Sequence, residues 1–125
     1  MEQFVLSLGS NLDSTEAHEM LSKAESFLYE YFNGNISFSP HYETKGIGNG
    51  EGKMYVNSVA KGMSSHKYDD IKKILKEYEI SVGRTADTKA RGVVPIDLDL
   101  LSLGEEIYKP KDFLQDYVKI GLGYL

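Results

Sequence analysis

The stretch Val93–Gly104, VVPIDLDLLSLG, is mostly apolar, yet Asp97 and Asp99 stand in its middle. Successive side chains of a strand point to opposite faces. Ile96, Leu98 and Leu100 therefore share one face, and Asp97 and Asp99 share the other, about 6.6 Å apart at Cα. Aspartate is a poor strand former, and like charges on one sheet face repel. Two accounts offset that cost. One is a solvated face of an antiparallel sheet. The other is a divalent cation held by the carboxylates. Mg²⁺ takes hard oxygen ligands, keeps several waters and usually brings substrate phosphates with it. Just upstream, Arg84, Lys89 and Arg91 stand against a single acid, Asp87. Carboxylates beside a basic loop are what phosphoryl-transfer chemistry requires.

Working outward, the aspartate strand closes a series. Phe4–Ser10, FVLSLGS, reads as a first strand. Asp13 is a candidate N-cap, with Glu16 as its capping-box partner. Ala17, Met20, Leu21, Ala24, Leu28 and Tyr31 then follow helical spacing, and Asn33–Asn35 stops the helix. Ile36–Thr44 alternates until Pro40, which marks an edge or a bulge. Met54–Gly62 reads as a third strand. Ser64 or Ser65 is the expected cap of a second helix whose apolar face is Tyr68, Ile71, Ile74, Leu75, Tyr78 and Val82. Gly83–Gly92 is a polar loop. The order β-α-β-β-α-β predicts an α+β, ferredoxin-like sandwich with a mainly antiparallel sheet. Residues 1–125 are expected to form one domain, with 108–125 a tail of uncertain structure.

Composition narrows the class. There are 14 Lys and Arg against 19 Asp and Glu, a formal net charge of −5. This argues against general binding to nucleic acid or to an anionic membrane. With no cysteine there is neither a disulfide framework nor a thiolate metal site. The start, MEQFVLSLGSN, does not read as a signal peptide, and no apolar run approaches a membrane span. A cytoplasmic domain is expected. The Gly-rich Lys45–Lys53 is not a P-loop, because Ile47 stands where the first glycine is needed and Met54 where Ser or Thr would be. It is either an exposed turn or a lid over a ligand. His18, His41 and His66 lie far apart without ligand spacing and are expected at the surface.

Five segments carry a family resemblance over about residues 4–105: LSLGSNL, then Tyr42–Thr44, Tyr55–Asn57, YEISVGR at Tyr78–Arg84, and IDLDLL at Ile96–Leu101. Their order and spacing resemble those of 6-hydroxymethyl-7,8-dihydropterin pyrophosphokinases (HPPK). The resemblance implies a ferredoxin-like fold and transfer of the β,γ-diphosphate of ATP to a reduced pterin, releasing AMP. It implies that Asp97 and Asp99 hold two Mg²⁺ ions with ATP, that Asn57 hydrogen-bonds the pterin and Tyr55 stacks on it, and that backbone at Thr44, Lys45 and Ile47 reads the pterin edge. Glu79 and Arg84 match positions at the nucleotide site, and Arg84 also joins the catalytic set. The chain departs from the pattern at Ala86, where the family places an arginine, and at Gly92-Val93-Val94, where the family reads Gly-Pro-Arg. Lys89 and Arg91 are the nearby substitutes at the nucleotide site. Tyr117 and Tyr124 are candidates for a second stacking aromatic. The alternatives are a relative that binds a pterin or nucleotide without transfer, and an interaction module with a solvated acidic face.

Overall fold

Strand β1 (Glu2–Ser10) is buried from Phe4 to Ser10, on both its faces, and so stands at the middle of the sheet. The computed structural model describes residues 1–45 and 54–125. Around β1 the order is β2 (Ile36–Phe38), β4 (Met54–Ser64), β1, β5 (Asp97–Leu103), β6 (Glu106–Ile107), with β3 (Tyr42–Lys45) also paired to β4. Every pairing is antiparallel. Taking β2 and β3 as one interrupted edge, this is the ferredoxin-like arrangement expected from the element order. No helix of the described residues is long and apolar enough to cross a membrane.

Helices α1 (Ser14–Tyr31) and α2 (Tyr68–Ser81) pack on one face. Phe4, Leu6 and Leu8 of β1 meet Leu21 and Leu28 of α1 and Ile71 and Leu75 of α2, with Ile96, Leu98 and Leu100 completing the core. Asp13 caps α1 as expected, accepting from the Glu16 N–H at 3.1 Å. Asn33 (φ 53°) and Gly34 (φ 78°) end it in left-handed backbone, which these residue types tolerate. The second helix starts later than expected. Ser64 lies in β4, its hydroxyl accepts from His66 N–H, and Lys67 is the N-cap. Asp69 and Asp70 in the first turn favour that end through the helix dipole.

Pro40 divides the edge strand. It has no N–H to give to a ladder. Ser39 bridges the break: its N–H donates to Val59 O at 2.8 Å, and its hydroxyl accepts from Val59 N–H at 2.9 Å. The polar loop Gly83–Gly92, expected to be irregular, contains a short helix, α3 (Ala86–Ala90), closed by a Thr85/Thr88 capping box.

The tail forms α4 (Pro110–Phe113) and α5 (Asp116–Leu122), and α5 lies on the second face of the sheet. There Val118 joins Val5, Val59 and Leu101 in a small second core. The β1–β5 register slips between Val5 and Leu6, which pair with Ser102 and Leu100. This leaves Leu101 without an opposite residue; alternation sets it on the face of Asp97 and Asp99, where it joins the second core. Gly121 permits close approach, since a Cβ there would lie 2.4 Å from Val59 Cγ2 and 2.6 Å from Tyr42 Oη. Tyr42 Oη in turn donates to the Tyr117 carbonyl. Gly121→Ala should push α5 off the sheet and cost about 1–3 kcal/mol. Urea unfolding would show the loss, and limited proteolysis should cut first in the tail. Unchanged stability with a protected tail would contradict this docking.

Candidate active site

The part of the second face that α5 leaves uncovered is a cavity of about 430 Å³. Its floor follows from the register. Gly9 pairs with Asn57 on one side and Asp97 on the other, and Ser7 pairs with Val59 and Asp99. All these residues point to the face opposite the main core, as strand alternation requires. A Cβ at Gly9 would stand 3.3 Å from Asn57 Oδ1, so the glycine keeps open the space between the amide and the aspartate. Thr44, Lys45 and Tyr55 form one wall, and Asp112, Gln115, Asp116 and Tyr117 of the tail form another. Asn57 Nδ2 donates to Thr44 Oγ1 at 2.5 Å, which fixes the amide's orientation.

Asp97 and Asp99 line this cavity together. In the chain by itself each carboxylate has its own cation. Arg84 Nη1 donates to Asp97 Oδ1 at 2.8 Å, and Lys109 Nζ donates to Asp99 Oδ1 at 2.7 Å. Arg84 also contacts Glu79 Oε2 at 3.1 Å and the Ile96 carbonyl at 3.3 Å. Burial, and then the charge of Asp97, raise the Asp99 pKa from the ordinary 3.8 to about 6, with Lys109 only partly opposing them. The donor set fits Mg²⁺. Two carboxylates lie side by side in an open cavity, and among the described residues no cluster of three or more His, Cys, Asp or Glu forms a closed cage. Mg²⁺ is ordinarily held by one or two carboxylates, with water and phosphate completing its shell.

The strand that carries the aspartates is anchored at two points. Glu79 Oε2 accepts the Leu98 N–H at 2.7 Å. That N–H lies on the outer edge of β5, where β6 does not reach, so Glu79 stands in for a missing strand. Burial raises its pKa, and the bonds from Leu98 and Arg84 work against that rise. The second anchor is the end of β1. Asn11 Nδ2 donates to Gly92 O at 2.7 Å, its Oδ1 accepts from Val94 N–H at 2.6 Å, and its backbone N–H donates to Val94 O at 3.0 Å. The motif Gly9-Ser10-Asn11 thus gives the cavity its floor and ties down the approach to β5.

Of the residues expected from the sequence, Thr44, Lys45, Tyr55, Asn57, Asp97 and Asp99 meet in the cavity wall. Arg84 reaches it through Asp97, whereas Glu79 is buried behind β5. Lys89 and Arg91 lie exposed on and just after α3, outside the cavity lining, and Arg91 pairs with Asp87 at 3.0 Å. Ile47 and most of the Gly-rich loop, residues 46–53, fall outside the described residues. Tyr117 lines the cavity and Tyr124 does not. Lys109 and the tail acids had no sequence signal beyond their charge. Two histidines are not simple surface groups: His18 Nδ1 and His41 Nδ1 are 2.9 Å apart, and His41 Nε2 bonds Glu25 at 3.1 Å.

Two outcomes follow. Asp99 holds its proton more tightly folded than unfolded, so folding takes up protons between pH 3.8 and about 6, and stability declines as pH rises through that window. Asp99→Asn removes the decline. In metal-free buffer it should stabilise the protein by on the order of 1–3 kcal/mol at pH 7 and hardly at all at pH 4. Equal effects at both pH values would contradict the assignment. Asn11→Ala should cost about 1–3 kcal/mol by stranding its backbone partners, with faster amide exchange at Val94 as the specific sign.

Comparison with known proteins bears on this geometry. Residues 5–122 match the family described as 7,8-dihydro-6-hydroxymethylpterin-pyrophosphokinase (HPPK), a span that takes in the tail. In two strains of Porphyromonas gingivalis, ATCC 33277 and W83, a 2-amino-4-hydroxy-6-hydroxymethyldihydropteridine pyrophosphokinase is 32% identical over 130 residues, covering 94% of this chain and 86% of the relative. A solved dimeric ferredoxin-like protein from an uncultured marine organism aligns over 87% of this chain and 95% of its own, at 16% identity and a TM-score of 0.34, too distant to carry an argument. The matched span and the relatives show the family: the chain belongs to the HPPK family of pyrophosphokinases, and is a transferase.

Proposed function

We infer that the chain transfers the β,γ-pyrophosphoryl group of ATP to the hydroxymethyl oxygen of 6-hydroxymethyl-7,8-dihydropterin. The bond between the α,β-bridging oxygen and the β-phosphorus breaks, the pterin hydroxyl oxygen bonds to that phosphorus and loses its proton to solvent, and AMP leaves with the bridging oxygen. The observation that carries this reading is the placement of Asp97 and Asp99 across Gly9 from Asn57 in one cavity. A phosphate-handling pair and a heterocycle-reading amide thus face the same space. Its volume, about 430 Å³, suits a small-molecule site.

The residues divide the work. Asn57, held by Thr44, presents a fixed amide to the pterin edge. Tyr55 offers a ring beside it, with its hydroxyl pKa raised by burial and then by the charge of Asp97. The backbone at Thr44 and Lys45 stands at the same wall. Two Mg²⁺ ions, held by Asp97 and Asp99 together with ATP, would neutralise phosphate charge and favour in-line attack. Arg84 keeps Asp97 oriented and adds positive charge near the nucleotide, while Glu79 holds Arg84 from behind. The family relatives named as pyrophosphokinases support the reaction class.

The test is AMP release from ATP in the presence of Mg²⁺ and the reduced pterin. Wild type should turn over, and Asp97→Ala should lose at least about a hundredfold in kcat, the scale of removing one preorganised electrostatic group. Its fold should survive, because the substitution also removes a like-charge neighbour. A folded Asp97→Ala enzyme with wild-type turnover would defeat the proposal.

A further inference from the structure

The cavity has an imbalance that the proposed reaction makes acute. Asp97, Asp99, Asp112 and Asp116 line it, against Lys45 among the lining residues. A polyphosphate must enter this acidic wall. Arg84 is already committed to Asp97 and Glu79. Arg91 is held by Asp87 on the exposed side of the molecule, and Lys89 lies outside the lining.

Lys109 is outside the lining too, but its ammonium touches a carboxylate that lines the cavity. The residue precedes α4, and its main chain is pinned. Tyr108 N–H and Lys109 N–H both donate to the Leu101 carbonyl, at 2.9 and 3.4 Å, and Pro110 follows. The residue before a proline is itself conformationally restricted. The anchor is therefore fixed while the four-carbon stem can rotate. Its ammonium reaches Asp99 Oδ1 at 2.7 Å, with 42% of the side chain exposed against 20% for Asp99. An ammonium on that oxygen and a divalent cation on the same carboxylate repel each other. The two therefore compete for Asp99.

We propose that Lys109 is the exchangeable counter-ion of this site: it occupies Asp99 while no divalent cation is bound, and turns to the ATP phosphates when one arrives. The phosphate half of this proposal rests on the function argued above. Lys109 thereby supplies from the tail a positive charge that α3 does not bring into the cavity. It is a binding and positioning residue, and the chemistry at phosphorus is left to other groups.

The experiment uses the full chain and two probes, Mn²⁺ alone and Mg²⁺ with α,β-methylene-ATP, each titrated by calorimetry. Lys109→Met should bind Mn²⁺ alone about two- to fivefold more tightly, because an internal competitor is gone. It should bind the Mg²⁺–nucleotide analogue about tenfold or more weakly, because a charge-assisted phosphate contact is lost. These opposite signs separate the proposal from a merely structural role, which would weaken both. Lys109→Arg should recover most of the nucleotide affinity. Lys109→Gln carries the same test if the Met variant fails to fold. Wild type binding both probes and the variants matching it would overturn the role of Lys109 alone. Wild type binding neither probe would overturn the proposed function, and this inference with it.

Discussion

Two carboxylates on one strand face, each neutralised by a cation from outside the sheet, organise the functional half of this molecule. Asp97 and Asp99 alternate with Leu98 and Leu100, so they cannot leave the second face without taking the core residues out of theirs. Their repulsion is a fixed consequence of burying the leucines. Arg84, arriving after α2, answers one charge, and Lys109, arriving before α4, answers the other. The strand between them is held by Glu79 on its bare edge and by Asn11 at its entry. The pair thus persists in the chain by itself, with an Asp99 whose proton is bound unusually tightly.

The two faces of the sheet divide the labour. One is sealed by α1 and α2 over a continuous core. The other is only half sealed, by α5 through Val118 and Gly121, and the remainder is the cavity. The tail is consequently part of the cavity wall as well as of the fold: it covers Val5, Val59 and Leu101, it brings Asp112 and Tyr117 to the cavity, and it carries the Lys109 ammonium to Asp99.

The features legible in the sequence were those decided locally. Period-two alternation placed Asp97 and Asp99 on one face. The short-range bond of Asp13 marked the start of α1, and the missing N–H of Pro40 divided the edge strand. The family motifs brought Tyr55, Asn57 and Thr44 to the same place. What escaped the sequence depends on contacts between distant residues. The helices α3, α4 and α5 have five, four and seven residues, too short to show a periodic apolar face. Ser64 looked like a cap, but β4 extends through it because its partner Glu2 extends β1. Lys109 pairs with Asp99 only because β6 turns the chain back along β5. The meeting of His18 with His41 likewise depends on how the loop before β3 passes α1.

The most direct measurement is a carboxyl ¹³C NMR titration of Asp99, with and without Mg²⁺. In metal-free protein the account predicts a midpoint near pH 6, moving down by at least about one unit when Mg²⁺ is added, since a cation favours the carboxylate. A midpoint near the ordinary value of about 4, unmoved by Mg²⁺, would contradict the claim that Asp97 and Asp99 form a charge-strained pair made to be relieved by a cation.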